Sequence, residues 1–193
     1  MVLRCSPLNR ALGLQGNYSA RKYFRAEAKL DVPSNFILNL AGEDDWSFVI
    51  KLNALFEAAA TQALVGRLGC VELEDSLSYI DFGNSKFGKV ALLKKLGCIS
   101  PLEAKFLQML FELRNKLAHN IRFVNFTFES HLSSMDANQM KSFVNAVKCG
   151  NEQIFWNCEE QPREQYIVSH TKILVLLTAT DLLVSLHQNS VEK

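Results

Sequence analysis

Apolar residues return at three- and four-residue intervals along most of the chain, a period that predicts helices. Trp46, Val49, Leu52, Phe56, Ala59, Ala60, Ala63 and Leu64 recur in this way up to Gly69. Asp44 or Asp45 can cap the start, so a long helix with most of its surface in the core is expected there. Residues 70–84 carry Asp, Ser, Gly and Asn with little pattern and predict a long loop, and Phe87, Val90, Ala91, Leu93 and Leu96 then predict a shorter helix ended by Gly97. Ser100-Pro101-Leu102-Glu103 has the composition of a helix start. The hydroxyl can accept from a first-turn amide, proline suits the first helical position, and the glutamate can reach back to the cap. The stripe Leu102, Phe106, Leu110, Leu113 and Leu117 carries that helix to about His119.

Beyond it the period changes. Val124-Asn125-Phe126-Thr127-Phe128-Glu129 alternates apolar and polar among strong β formers and predicts a short extended segment, alone or in a hairpin. Asp136 with Gln139 opens a helix to about Lys148, and Pro162 precedes a last helix over roughly 164–188. Upstream, residues 1–20 show no surviving period and read as an irregular arm. A short basic helix is expected within 19–30, then a break at Pro33, because the residue before a proline is pushed out of the α region, and a second short helix over 34–41. The expected fold class is all-α: one domain over 21–193, a bundle of four to five helices with one extended segment after the helix that ends at His119.

At 193 residues and 48% hydrophobic, the chain can bury one sizeable core. Lys plus Arg number 21 against 20 Asp plus Glu, so no global field attracts nucleic acid or an anionic membrane, and any basic site must be local. The five cysteines are odd in number, widely spaced and without a CxxC pair, which points to free thiols in a reducing compartment. No secretory signal is apparent. The most apolar stretch, 173–186, contains Asp181 and is shorter than the roughly 20 residues a bilayer needs, so it predicts a buried helix. A cytoplasmic location and no membrane association are expected.

One run looks like a site of chemistry: Arg114-Asn115-Lys116-Leu117-Ala118-His119. On a helix, Asn115 and His119 share a face, and Arg114 has a stem long enough to swing toward the imidazole. A guanidinium holds a phosphate through two parallel hydrogen bonds, and an imidazole titrating near neutrality can take or give a proton at the ribose 2′-hydroxyl or the leaving oxygen. An asparagine can hold either group without adding charge. These are the minimum parts for metal-free RNA cleavage. The bland alternative is a set of positive charges favoured by the dipole at a helix C-terminus, which leaves unexplained a mediocre helix former, Asn115, between them.

Arg114-Asn115-x-x-x-His119 resembles the Arg-polar-x-x-x-His signature of the HEPN superfamily, the higher-eukaryote and prokaryote nucleotide-binding domain, and the likeness covers residues 45–120. The resemblance implies a small helical bundle, a homodimer in which two motifs face each other, and, in active members, an endoribonuclease that needs no metal, of the defence or toxin type. Arg114 would then bind and polarise the phosphate, His119 would transfer the proton and Asn115 would orient them. The Phe-rich segment after the motif is similar to HEPN-related proteins grouped with the mannitol operon repressor, which implies a regulatory, non-catalytic alternative. An antitoxin or regulatory protein would be the partner beside RNA.

Lys116 and Arg122, with Lys105, can supply a local basic patch for an RNA backbone, and Phe123 is the best-placed aromatic for base stacking. Phe126 and Phe128 read as core. Glu57, interrupting an apolar run, can either pair with Arg114 or point to solvent, and Asp181 poses the same question. His131, His170 and His187 have no ligand spacing, so no metal is expected. No GxxxxGK[ST], GxGxxG or GxSxG occurs, and no cofactor is expected.

Overall fold

The computed structural model describes residues 27–28, 32–149 and 163–191; the expected arm over 1–20 and most of the basic helix over 19–30 lie outside them. Among the described residues there are eight α-helices and no strand: α1 (Phe36–Gly42), α2 (Asp45–Leu68), α3 (Glu74–Ser78), α4 (Lys89–Lys95), α5 (Pro101–Ala118), α6 (Phe128–Ser133), α7 (Ala137–Val147) and α8 (Arg163–Val191). The bundle is all-α as expected, with more helices than the four or five anticipated, because four of the eight are short pieces of five to seven residues.

Local chemistry sets the helix ends. Asp44 Oδ1 accepts from the Ser47 amide at 2.9 Å to start α2, and Gly69, at φ 66°, closes it in the left-handed region that glycine enters without a Cβ penalty. The α5 start is a full capping box: the Glu103 amide donates to Ser100 Oγ at 3.2 Å, and the Ser100 amide donates to Glu103 Oε2 at 2.6 Å. Asp136 and Gln139 repeat that arrangement for α7.

α2 is the central helix, packed on α8, α5, α4 and α3, and it is apolar nearly all round for that reason. Phe48, Val49, Leu52, Phe56, Ala60, Ala63 and Leu64 are fully enclosed with Phe106, Leu107 and Leu110 of α5 and Leu174, Val175, Ala179 and Leu186 of α8. Phe56 and Phe106 meet edge to face at 6.3 Å. A polar tie closes one end: Asp45 pairs with Lys172 of α8 at 3.2 Å and accepts from the Phe128 amide of α6 at 2.9 Å. Lys172 also donates to the Glu43 carbonyl and sits over the Phe48 ring.

Two expectations change. The extended segment at 124–129 is absent: Ile121–Phe123 is a 3₁₀ turn opened by Asn120, and Thr127 caps α6 by accepting from the Ser130 amide at 3.2 Å. Phe126 and Phe128 both turn inward, edge to face at 5.4 Å, while Val124 is exposed, so the alternation records two anchoring rings rather than one face of a ladder. The apolar stretch 173–186 belongs to the 29-residue helix α8. By length and composition α2 and the 167–189 part of α8 are each long and apolar enough to cross a membrane, and half or more of each such window is buried inside the fold.

Candidate functional site

α5 positions the motif by burying Leu110, Leu113 and Leu117. That rotation leaves Arg114 and Asn115 half-buried at the edge of the core and Lys116 exposed. Arg114 Nη1 donates to Asn115 Oδ1 at 2.9 Å. The guanidinium therefore bends onto the face that Asn115 and His119 share, and most of its five N–H donors are left for a ligand. The helix ends where the stripe predicts: Ala118 is its last residue and His119 the C-cap, its amide donating to the Asn115 carbonyl at 3.1 Å. Its ring is exposed and takes no hydrogen bond or ion pair among the described residues. Arg114 and Asn115 are thus joined directly, and the imidazole stands one turn further along the same face without a hydrogen bond to the arginine.

Beneath the motif, Asn53 of α2 is 1% exposed and donates through Nδ2 to the Val49 and Leu110 carbonyls, at 2.9 and 3.2 Å. It ties α2 to α5 one turn before Arg114. Its Oδ1 is buried and unpartnered, an unusual cost in a core.

The expected RNA-binding residues divide. Lys116 lies over the Phe123 ring, 4.8 Å from its centre, so Phe123 is half-buried with one ring face already covered. Arg122 is exposed on the 3₁₀ turn, its amide held by Asn120 Oδ1 at 3.0 Å. Lys105 lies three helical turns, about 16 Å, before Lys116 with Glu112 on the stripe between them, so the two do not form a continuous patch. His131, set aside on spacing alone, belongs to this side of the molecule. Its ring packs on Phe126 at 5.6 Å, and burial, then the nearby Lys116 charge, lowers its pKa.

Glu57 is half-buried; its charge acts on Lys89, and no ion pair joins it to Arg114 among the described residues. Lys89 had no sequence signal. It is 4% exposed, donates through Nζ to the Ser78 carbonyl at 3.0 Å, and has its pKa lowered by burial against the opposing pull of Glu57 and Asp81. Among the described residues no group of three or more His, Cys, Asp or Glu is placed to hold a metal ion. No protein-family model, curated protein or solved structure matches the chain.

Proposed function

We propose that the protein is a HEPN-like, metal-independent endoribonuclease of the defence or toxin type, acting through Arg114, Asn115 and His119. One observation carries the reading: the guanidinium is held by the Asn115 amide oxygen on the face that leads to an open imidazole. A surface arginine at a helix end has no need of such a partner, whereas a phosphate-binding arginine gains from being held in place before the ligand arrives.

In the proposed reaction the 2′-hydroxyl of one nucleotide attacks its own 3′-phosphorus. The 2′ oxygen–phosphorus bond forms as the bond to the 5′ oxygen of the next nucleotide breaks, leaving a 2′,3′-cyclic phosphate and a free 5′-hydroxyl. Arg114 binds the non-bridging oxygens and Asn115 orients it. The His119 imidazole takes the proton from the attacking hydroxyl, and an imidazolium gives one to the leaving oxygen. One imidazole cannot be base and acid in the same step, so a homodimer bringing two motifs together is part of the proposal, as are a cytoplasmic setting and a neutralising antitoxin or regulatory partner.

A second reading keeps the fold and drops the chemistry: a regulatory protein of the mannitol-repressor type. The observation favouring it is the exposure of His119 at a helix end, where a single chain offers nothing to exclude water. Incubation of wild type and His119→Ala with mixed single-stranded RNA in EDTA, followed by analysis of the 3′ ends, separates the two. Cyclic phosphate ends made by wild type alone support the enzyme; intact RNA with both proteins folded supports the regulator.

A further inference from the structure

Residues 70–84, expected as a long loop, hold a 3₁₀ turn at Val71–Leu73 and helix α3, and the turn running on from Ser78 to Lys89 is closely hydrogen-bonded. Asn84 Oδ1 accepts from the amides of Lys86 and Phe87, both at 3.0 Å, and Asp81 Oδ1 accepts from the Asn84 amide at 2.5 Å. The Gly88 amide donates to the Asn84 carbonyl at 2.9 Å, and the Lys89 amide to the Asp81 carbonyl at 3.0 Å. From inside, the Lys89 ammonium donates to the Ser78 carbonyl. Two glycines make this winding possible: a Cβ on Gly88 would fall 2.6 Å from the Asn84 backbone, and one on Gly83 would fall 2.0 Å from the Phe111 ring.

A turn built so firmly would be expected to hide its aromatic residues, but it presents them. Phe87 is 73% exposed and Tyr79 90% exposed. Lys86, Lys94 and Lys95 are exposed, and the Lys95 ammonium lies 3.4 Å from the carbonyl of Lys86, the chain neighbour of Phe87, whereas the acidic residues Glu72, Glu74 and Asp75 precede Tyr79. The basic side of the turn is its second half.

The turn also docks on the motif helix. Phe82 packs its ring on Phe111 at 5.7 Å. Phe111, Asn115 and His119 follow one another at four-residue intervals on α5, so the docking point lies about 6 Å along the axis from Asn115 and about 12 Å from His119. An exposed aromatic with lysines near it in the chain, on a turn docked to the helix that carries a candidate phosphate site, is the chemistry that single-stranded nucleic acid selects, since every base has a face to stack and every phosphate a charge to meet.

We propose that the turn 79–88 with the start of the following helix is a single-stranded RNA platform: Phe87 stacks a base, and Lys86, Lys94 and Lys95 meet the phosphates that lead toward Arg114. The ligand class rests on the RNA reading above, but the platform does not depend on cleavage. The test is fluorescence anisotropy of a short labelled, mixed-sequence single-stranded RNA on the full chain carrying His119→Ala. Adding Phe87→Ala should weaken binding between about fivefold and a hundredfold. Adding Lys86→Ala, Lys94→Ala and Lys95→Ala together should lower the salt slope of binding by about two. These side chains are exposed, so unchanged thermal unfolding shows that the fold is intact.

RNA binding within twofold of the parent in both variants overturns the platform, as does the absence of any RNA binding. Polyglutamate that binds as tightly as RNA overturns it as well, pointing to an acidic protein partner. Phe87-dependent binding without cleavage by wild type keeps the platform and removes the enzyme; cleavage by wild type that Phe87→Ala leaves untouched removes the platform and keeps the enzyme.

Discussion

Replacing Gly83 with alanine tests whether the turn is wedged against the motif helix. The new Cβ would lie 2.0, 2.3 and 2.7 Å from Cδ1, Cε1 and Cγ of Phe111, so it meets the root of the ring as well as its edge, and a small χ rotation does not clear it. Forcing a methyl group into such a contact costs about 1–3 kcal/mol. Phe111→Ala alone should cost about 2 kcal/mol, roughly half the usual Phe→Ala value, because the ring is half-buried. Independent effects would add to about 3–5 kcal/mol. If the ring is the obstacle, deleting it makes room for the methyl, and the double variant should fall near Phe111→Ala alone, a coupling of about 1–3 kcal/mol. Guanidinium denaturation followed by far-UV circular dichroism measures the cycle. Gly88→Ala is the control. Its obstacles are the backbone N and O of Asn84 and the carbonyl of Asp81, so it should cost at least as much and Phe111→Ala should not rescue it. Additivity of Gly83→Ala and Phe111→Ala within about 0.5 kcal/mol would show that the turn does not bear on that ring, and the placement of the platform beside Asn115 would fall with it.

Three further outcomes follow from the packing. Asp45→Ala should cost about 2–3 kcal/mol by denaturation, because one carboxylate serves both Lys172 and the Phe128 amide, whereas Asp45→Asn keeps the second bond and should cost about 1 kcal/mol. Burial lowers the Lys89 pKa, so between its folded value and 10.5 the unfolded chain holds more protons and stability rises with pH; wild type measured against Lys89→Met should gain over that window, and a flat difference contradicts the burial. His131 is lowered first by burial and then by Lys116, so stability is lost as pH falls from 6.5 through its folded pKa; Lys116→Met should raise that pKa in an imidazole NMR titration, and an unmoved titration would separate the two residues.

Signals confined to three or four residues were legible in the sequence. Ser100 with Glu103, Asp136 with Gln139 and Asp44 before Trp46 each place a helix start, because the acceptor and the amide it meets are neighbours in the chain. The Arg114–Asn115 contact joins chain neighbours, and helical spacing alone puts Asn115 and His119 on one face, but the expected swing of the guanidinium to the imidazole is not seen. The helix end at His119 was legible too, since the apolar stripe runs out at Leu117, whereas the 3₁₀ turn that follows was not.

What escaped was decided by residues distant in sequence. An alternating run such as 124–129 becomes a strand only when another segment completes its ladder. Here the Phe128 amide is taken by Asp45, 83 positions away, and the two phenylalanines fill the core around Phe48, so tertiary contact overrides β propensity. The turn at 78–89 failed in the opposite direction: its polar composition resembles a slack loop, while its side chains spend their hydrogen bonds on their own backbone. Lys89 shows why composition misleads there, since a lysine in sequence reads as surface and this one is buried to hold the carbonyl of Ser78. An exposed Phe87 on such a turn is then informative in a way that an exposed phenylalanine on a slack loop is not. A slack loop can fold its ring inward, whereas this turn holds Phe87 in the solvent, leaving an exposed apolar face for a ligand to cover.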